Sequence, residues 1–279
     1  MAYLDNLAVG LILSTLIGVL AYRRGALAPS GVAGAIIVGT LIFGLGGWVW
    51  GLTLITFFIS SSTLSHYRDA EKKRLAEKFA KGHRRDLGQT LANGGAGALI
   101  TLAYALWGEP ALFAAFLGAM ATVNADTWAT ELGVLSPSPP RLITNGRVVE
   151  AGTSGGVSWL GVVASAAGAL SIGLAAFVFS LCGELLGGGG DPWRYGWALA
   201  AALVGGLTGS LVDSLLGASV QIMYFCPTCA KETEKTSHGC GTATQYRRGW
   251  RWLDNDVVNF LSSLVGALAA TGVFWLLVG

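Results

Sequence analysis

The sequence predicts an all-α, polytopic integral membrane protein of about eight transmembrane helices, or seven at the fewest. Three observations carry that prediction. The chain is 53% hydrophobic and only 12% charged, whereas a soluble domain carries roughly 25% charged residues. Its 41 glycines suit close-packed membrane helices, which place small residues at their contacts. Once the apolar runs are laid across a bilayer, every Lys and Arg except Arg194 falls on one side. The positive-inside bias makes that side the cytoplasm.

In chain order the apolar runs lie at about 6–22, 31–46, 47–64, 92–108, 110–131, 156–182, 194–220 and 256–278. Each can cross a hydrocarbon core of about 30 Å, the second only just. The first is preceded by Asp5 and followed by Arg23 and Arg24. Ala26-Leu27-Ala28 mimics a signal-peptidase site. The charge order, however, is that of an uncleaved anchor with its N-terminus outside. The chain reads as a single transmembrane domain, 1–279, with three cytoplasmic features: a basic segment at 65–91, a Gly-rich loop at 133–155 and a Cys/His knuckle at 221–253. Both termini, Glu109 and the loop Gly187-Gly188-Gly189-Gly190-Asp191 are expected outside.

The basic segment carries Arg68, Lys72, Lys73, Arg74, Arg84 and Arg85, with Leu75, Phe79 and Leu87 spaced for an amphipathic surface helix. It reads either as a topogenic loop that binds lipid headgroups or as a basic lid over a polyanionic substrate. Three hairpins of helices open on similar residues: Ser30-Gly31, Asn93-Gly94-Gly95 and Ser154-Gly155-Gly156. Their returning helices close on Ser60 to Thr63, Asp126-Thr127 and Asp213-Ser214. A threefold repeat of helical hairpins is one reading. The other is that Ser, Asn and Gly are common at any helix start.

Carboxylates inside apolar runs are costly and mark function by default. Asp126, Glu131 and Asp213 lie at the cytoplasmic ends of the fifth and seventh runs. Asn124, Thr127 and Glu131 are spaced to share one helix face, as are Gly206, Gly209, Asp213 and Gly217, and Asp256, Asn259 and Ser263. Oxygen ligands converging from three helices suit a hard cation such as Mg²⁺, held by carboxylates together with substrate phosphates. Helix capping and inter-helix hydrogen bonding are the plainer alternative. The Gly-rich loop runs through Thr144 and Thr153-Ser154-Gly155-Gly156 into a predicted helix. Such a turn offers free backbone N–H groups to phosphate, though it lacks the spacing and the Lys of a Walker A loop.

Cys226 and Cys229 precede His238 and Cys240 with the spacing of a small zinc knuckle. On a reducing cytoplasmic face a disulfide is disfavoured. Four ligands leave no open position, so the Zn²⁺ would be structural.

Several blocks together resemble one family. They are Ala125-Asp126-Thr127-Trp128-Ala129-Thr130-Glu131-Leu132-Gly133, Pro140-Arg141-Leu142-Ile143-Thr144 and Gly152-Thr153-Ser154-Gly155-Gly156-Val157. With them go Gly209-Ser210-Leu211-Val212-Asp213-Ser214 and Leu253-Asp254-Asn255-Asp256-Val257-Val258-Asn259. The family is the multi-span one that includes chloroplast phytyl-phosphate kinase and an animal transmembrane relative. The resemblance runs from about residue 30 to the last helix. It implies phosphoryl transfer from a nucleoside triphosphate to an isoprenoid monophosphate, giving the diphosphate. Related prenol kinases point to CTP as donor. The cysteine knuckle resembles an insert that some members lack.

On that reading Asp126 and Asp213 bind Mg²⁺, with Glu131 and Asp256 assisting, and Arg85 and Lys73 neutralise phosphate oxygens. Asn93, Thr144 and the Thr153 to Gly156 turn hold phosphate. Asn124, Thr127, Ser214, Asn255 and Asn259 complete the substrate and nucleotide contacts. Partners are the bilayer, an isoprenoid monophosphate and a nucleoside triphosphate; no nucleic-acid partner is expected. Two rivals stand beside the kinase. A CTP-dependent lipid cytidylyltransferase needs the same metal and groove. A transporter predicts polar residues at the bilayer midplane, whereas here they gather at one rim.

Overall fold

The computed structural model describes residues 2–67, 84–187, 191 and 194–279. The body of the basic segment, 68–83 with Lys73, lies outside the described residues. The described chain forms α1 (Ala2–Arg23), α2 (Pro29–Gly46), α3 (Trp48–His66), α4 (Leu87–Trp107), α5 (Ala111–Gly133), α6 (Trp159–Leu186), α7 (Trp197–Ser219) and α8 (Asn255–Leu277). The expected all-helical architecture is present, with small β elements in two loops. β1 (Arg141–Leu142) pairs with β2 (Gly156–Val157), and a three-stranded sheet sets β3 (Met223–Cys226) between β4 (Lys231–Thr233) and β5 (Gln245–Arg248).

Local chemistry sets the helix ends. Pro29 starts α2, where its missing N–H costs nothing. One residue, Gly47 at φ 82°, separates α2 from α3. Asp86 and Gln89 form a reciprocal capping box on α4, and Gly108 closes that helix in the left-handed region. The box starts α4 at Leu87 rather than about 92, because polar Gln89 and Thr90 belong to its first turn. Asp254 caps α8 by accepting the Val257 N–H at 3.0 Å.

Among the described residues, six helices are long and apolar enough to cross a membrane: α1, α2, α3, α6, α7 and α8. α4 and α5 are helical but are diluted by inward-facing small and polar residues such as Asn93, Gly97, Asn124 and Asp126. α5 is the central helix, buried from Ala111 to Ala125 on nearly every side, as a helix apolar all round should be. It packs on α3, α4, α6, α7 and α8. Gly118 of α5, Gly205 of α7 and Gly266 of α8 meet backbone to backbone, and a Cβ at Gly118 would strike the Gly266 carbonyl. Thr122 ties the seam by donating to the Gly118 carbonyl (2.8 Å) and the Gly205 carbonyl (3.2 Å). Towards the end away from the carboxylates, Trp50 lies 4.5–5.2 Å from the rings of Phe116, Tyr104 and Phe113.

The loops after α1, α5 and α7, and residues 84–86 before α4, gather at one end of the bundle. Arg85 joins the last of these to the loop after α1, since its N–H donates to Ala26 O (3.0 Å) and its carbonyl accepts from Ala28 N–H (2.9 Å). Arg194 is at the other end, 4.0 Å from Glu184. The three Gly-bearing openers are not equivalent. Ser30 lies in the first turn of α2 and Asn93 in the second turn of α4, while Ser154 precedes α6 in a loop.

Candidate functional site

A cavity of about 940 Å³ opens at the end where these loops meet. α5 contributes Asp126, Thr127 and Glu131, α7 contributes Asp213 and Ser214, and α8 begins in its wall with Asn255 and Asp256. α4 adds Gln89 and Asn93, with Arg85 just before it. The turn Thr153-Ser154-Gly155-Gly156 forms another wall, and the knuckle covers it with Cys229, Glu234, His238 and Cys240. Residues far apart in sequence thus face one space. A second cavity of about 930 Å³ adjoins it and shares Thr153, Ser154 and Glu234.

Asp126, Asp213 and Glu234 lie close enough for their charges to act on one another. Asp213 Oδ2 is held by the Ser262 hydroxyl at 3.1 Å, and Glu234 Oε1 by the Gln221 amide at 2.8 Å. Asp126, Asp213 and Glu234 bring hard oxygen donors to one cavity, whereas the tight metal-type donor cluster among the described residues is that of the knuckle. Arg85 brings a positive charge to the wall of the same cavity. Its guanidinium donates to Ser62 Oγ at 3.3 Å and lies 5.7 Å from the Phe57 ring centroid. Burial lowers its pKa from the ordinary value, and the neighbouring Glu131 carboxylate opposes that shift. An Arg stays protonated regardless, so a half-desolvated cation faces the cavity.

The Gly-rich turn departs from its expected form. It does not open directly into a helix: β2 intervenes, and α6 is capped by Ser158, whose hydroxyl accepts the Gly161 N–H at 3.1 Å. The Gly156 N–H is already spent on the Thr153 carbonyl at 2.9 Å. The first turn of α6, with its cap Ser158 and Gly161, nonetheless lines the cavity. Gly155 is required twice over, by its φ of 76° and by Ala218 of α7, which a Cβ would strike. That contact seats the turn on the last residues of α7, near Asp213.

Three expected site residues do not line the cavity. Asn124 is fully buried within the bundle. It accepts from Ser60 (2.8 Å) and donates to the Gly168 carbonyl (2.8 Å) and Ser171 Oγ (2.9 Å). Its hydrogen-bonding capacity is committed to joining α3, α5 and α6. Thr144 is exposed in the loop following β1. Asn259 sits one turn deeper than Asp256 and does not line the cavity; its carbonyl accepts from Ser262 and Ser263. Lys73 is outside the described residues. Conversely, Glu234, Gln221 and Ser262 were not singled out by sequence. Glu234 sits in Lys231-Glu232-Thr233-Glu234-Lys235, which reads as a solvated charge run, and only the β3–β4 hairpin turns it back over the cavity.

The knuckle ligands meet as expected. One donor atom each from Cys226, Cys229, His238 and Cys240 lies within 4.8 Å of the others. Cys226 and Cys240 Sγ are 3.7 Å apart, near the ~3.8 Å edge of a tetrahedron with zinc–sulfur bonds of about 2.3 Å. Hydrogen bonds from Thr242 and His238 bring the Cys240 thiol down to about 6. Hydrogen bonding to Cys240 pushes Cys229 up to about 11. The donor set of the cluster fits Zn²⁺.

Comparison with known proteins agrees with the blocks read from sequence. The family described as integral membrane protein DUF92 matches residues 12–267. Protein PGR of Arabidopsis thaliana is 34% identical over 278 residues, covering 93% of this chain and 93% of that protein. An uncharacterized membrane protein of Methanocaldococcus jannaschii is 31% identical over 221 residues, covering 78% of this chain and 84% of that protein. Protein VTE6, chloroplastic, of Arabidopsis thaliana is 23% identical over 249 residues, covering 88% of this chain and 64% of that protein. No solved structure matches the chain. With the match spanning nearly the whole chain, this protein belongs to the DUF92 family of integral membrane proteins.

Proposed function

We propose that the protein is an isoprenoid-monophosphate kinase. It transfers the γ-phosphoryl group of a nucleoside triphosphate, with CTP the donor suggested by related prenol kinases, to a prenyl monophosphate. A terminal oxygen of the acceptor phosphate forms the new P–O bond. The bond from the γ-phosphorus to the β-phosphate oxygen breaks, and a nucleoside diphosphate leaves with prenyl diphosphate as the other product.

The observation that carries this reading is that Asp126 and Asp213, from two helices, line one cavity together with Arg85. Phosphoryl transfer asks mainly for positioning and charge neutralisation, and the acceptor is already anionic, so no strong general base is needed. Asp126 and Asp213 would hold Mg²⁺, with Glu234, Glu131 and Asp256 bordering the same space. Bound there, the cation supplies positive charge to the triphosphate oxygens. Arg85 neutralises acceptor oxygens, and Glu131 balances Arg85 when the cavity is empty. Asn93, Ser154 and Ser214 orient phosphate by hydrogen bonding. The adjoining cavity near Thr153 and Glu234 has room for the nucleoside.

The site end is assigned to the cytoplasm, with both termini outside, because the described basic residues other than Arg194 lie at that end. The full eight-helix crossing includes α4 and α5, whose polar residues face protein rather than lipid.

The test is turnover by purified protein with geranylgeranyl or phytyl monophosphate, Mg²⁺ and each of the four nucleoside triphosphates, products being read by mass spectrometry. Prenyl diphosphate with nucleoside diphosphate is expected. A nucleotidyl lipid with pyrophosphate would make the protein a cytidylyltransferase instead. No product from folded protein with any nucleotide removes the kinase reading and turns attention to transport.

A further inference from the structure

Helices α6 and α7 close on each other at two levels and part between them. Deep in the bundle, a Cβ at Gly206 of α7 would strike Ala169 of α6, and one at Gly173 of α6 would strike Ala202 of α7. At the site end, the Gly-rich turn that precedes α6 seats Gly155 on Ala218 and Ser154 on Gly217 of α7. Between these two closures, both helices line the carboxylate cavity. Val162 and Ser165 do so from α6, and Leu207, Ser210 and Leu211 from α7. α5 packs on both helices and brings Asp126 and Thr130 to the same space. From Leu207 to Ser214 the gap runs about 10 Å along α7, at 1.5 Å per residue.

The gap opens sideways. Leu211 lines the cavity and is also 46% exposed, on a helix long and apolar enough to cross a membrane. A side chain with both properties stands where the cavity meets lipid. Val162 and Leu207, the other apolar residues of the gap, are half-buried. Ser165 and Ser210 are buried hydroxyls in its wall. Ser165 Oγ has no hydrogen-bond partner among the described residues. A buried hydroxyl left unpaired costs free energy, and an oxygen of a bound phosphoester would meet that need. The gap therefore joins an apolar edge on lipid to hydroxyls, carboxylates and Arg85 in one space. A lipid phosphate lying with its head inward carries its groups in the same order.

We propose that the gap between α6 and α7 is the route by which the isoprenoid monophosphate reaches the site from the bilayer. In the bound state only the first part of its chain lies between the helices, and the rest stays in lipid. The inference rests on the kinase reading for the identity of the head group. A short, water-soluble acceptor such as dimethylallyl monophosphate does not need this route, because the cavity also opens where the loops meet. The two acceptors therefore separate passage through the gap from the chemistry of the site.

The experiment has two arms on the full-length protein in lipid nanodiscs. In the first, geranylgeranyl monophosphate with a diazirine on its first isoprene unit is photolysed without nucleotide, and labelled peptides are mapped by mass spectrometry. Label is expected within 159–165 of α6 or 207–214 of α7. It should be displaced by excess geranylgeranyl monophosphate but not by excess phosphatidic acid. Moved to the last unit, the diazirine should label lipid instead. Label confined to α1–α4, or displaced by phosphatidic acid, overturns the route. Label from the last unit on the buried part of α5 overturns the shallow seating. In the second arm, Leu211→Trp and Val162→Trp each narrow the gap. Each should lower the ratio of kcat/KM for geranylgeranyl over dimethylallyl monophosphate at least about tenfold, the scale of one misfit in an apolar contact. Leu174→Trp, at an exposed position elsewhere on α6, should leave the ratio unchanged. An unchanged ratio in both gap variants, with thermal melts matching wild type, contradicts the route. If wild-type protein turns over neither acceptor, the kinase reading fails. The labelling of wild type still decides the route in that case, and whether or not either Trp variant folds.

Discussion

The side-chain amide of Gln221 donates to Glu234 Oε1 at 2.8 Å. The other end of that amide, Oε1, accepts from the Ser154 hydroxyl at 3.3 Å. Gln221 is almost wholly buried, while its two partners are partly exposed at the cavity wall. A knuckle residue and a residue of the Gly-rich turn are thereby held in one orientation at the cavity. The knuckle is joined to the proposed chemistry through this pair.

Replacing Glu234 by Gln removes one of three neighbouring carboxylates while keeping the shape. The expected result is a 10- to 100-fold rise in the Mg²⁺ concentration needed for half-maximal turnover, roughly the scale of losses at metal-supporting positions. Gln221→Leu should give a smaller shift in the same direction, because Glu234 remains but is no longer oriented. Magnesium titrations of both variants decide this. Unchanged half-saturation in Glu234→Gln would remove that residue from the metal site.

Asn124 directly precedes the Ala125 to Gly133 block, and its side chain is hydrogen-bonded within the bundle; we propose a structural role for it. Asn124→Ala should destabilise the fold by about 1–3 kcal/mol, the cost of leaving buried partners unsatisfied. It should leave KM for both substrates near wild type. Denaturant unfolding in detergent and steady-state kinetics separate the two roles. A large KM change without loss of stability would return Asn124 to the substrate.

Zinc analysis of protein purified without chelator should find about one zinc per chain. Cys226→Ser should lose that metal. Turnover should fall with it, since the hairpin that carries Glu234 also carries ligands of the knuckle. Full activity in metal-free protein would show that the roof folds without zinc.

The helices are legible in sequence because each long apolar run is bounded by charge, Gly or Pro. The start of α4 is the main displacement, although Asp86 and Gln89 already spell a capping box. Asp126 and Asp213 are legible because a carboxylate in an apolar run is expensive unless it is used. Glu234 is not, because a carboxylate between lysines in a loop costs nothing until a hairpin folds it over a cavity. The Gly-rich turn shows the opposite error. Its composition suggests an anion-binding helix start, but Gly155 is there for a left-handed backbone and for contact with Ala218. The gap between α6 and α7 has no sequence signature at all, since Val162, Leu207 and Leu211 are ordinary membrane side chains. It exists through the way those two helices pack.

The most direct measurement is turnover of Asp126→Asn and Asp213→Asn beside wild type, with prenyl monophosphate, Mg²⁺ and the preferred nucleotide. Each substitution keeps the side chain's size and removes one charge from a site whose work is electrostatic. The account predicts losses of at least about 100-fold in kcat/KM for each, the scale of removing one preorganised charge-stabilising group, with unchanged melting behaviour. Near-normal turnover in either folded variant would contradict a metal–phosphate centre built on this pair.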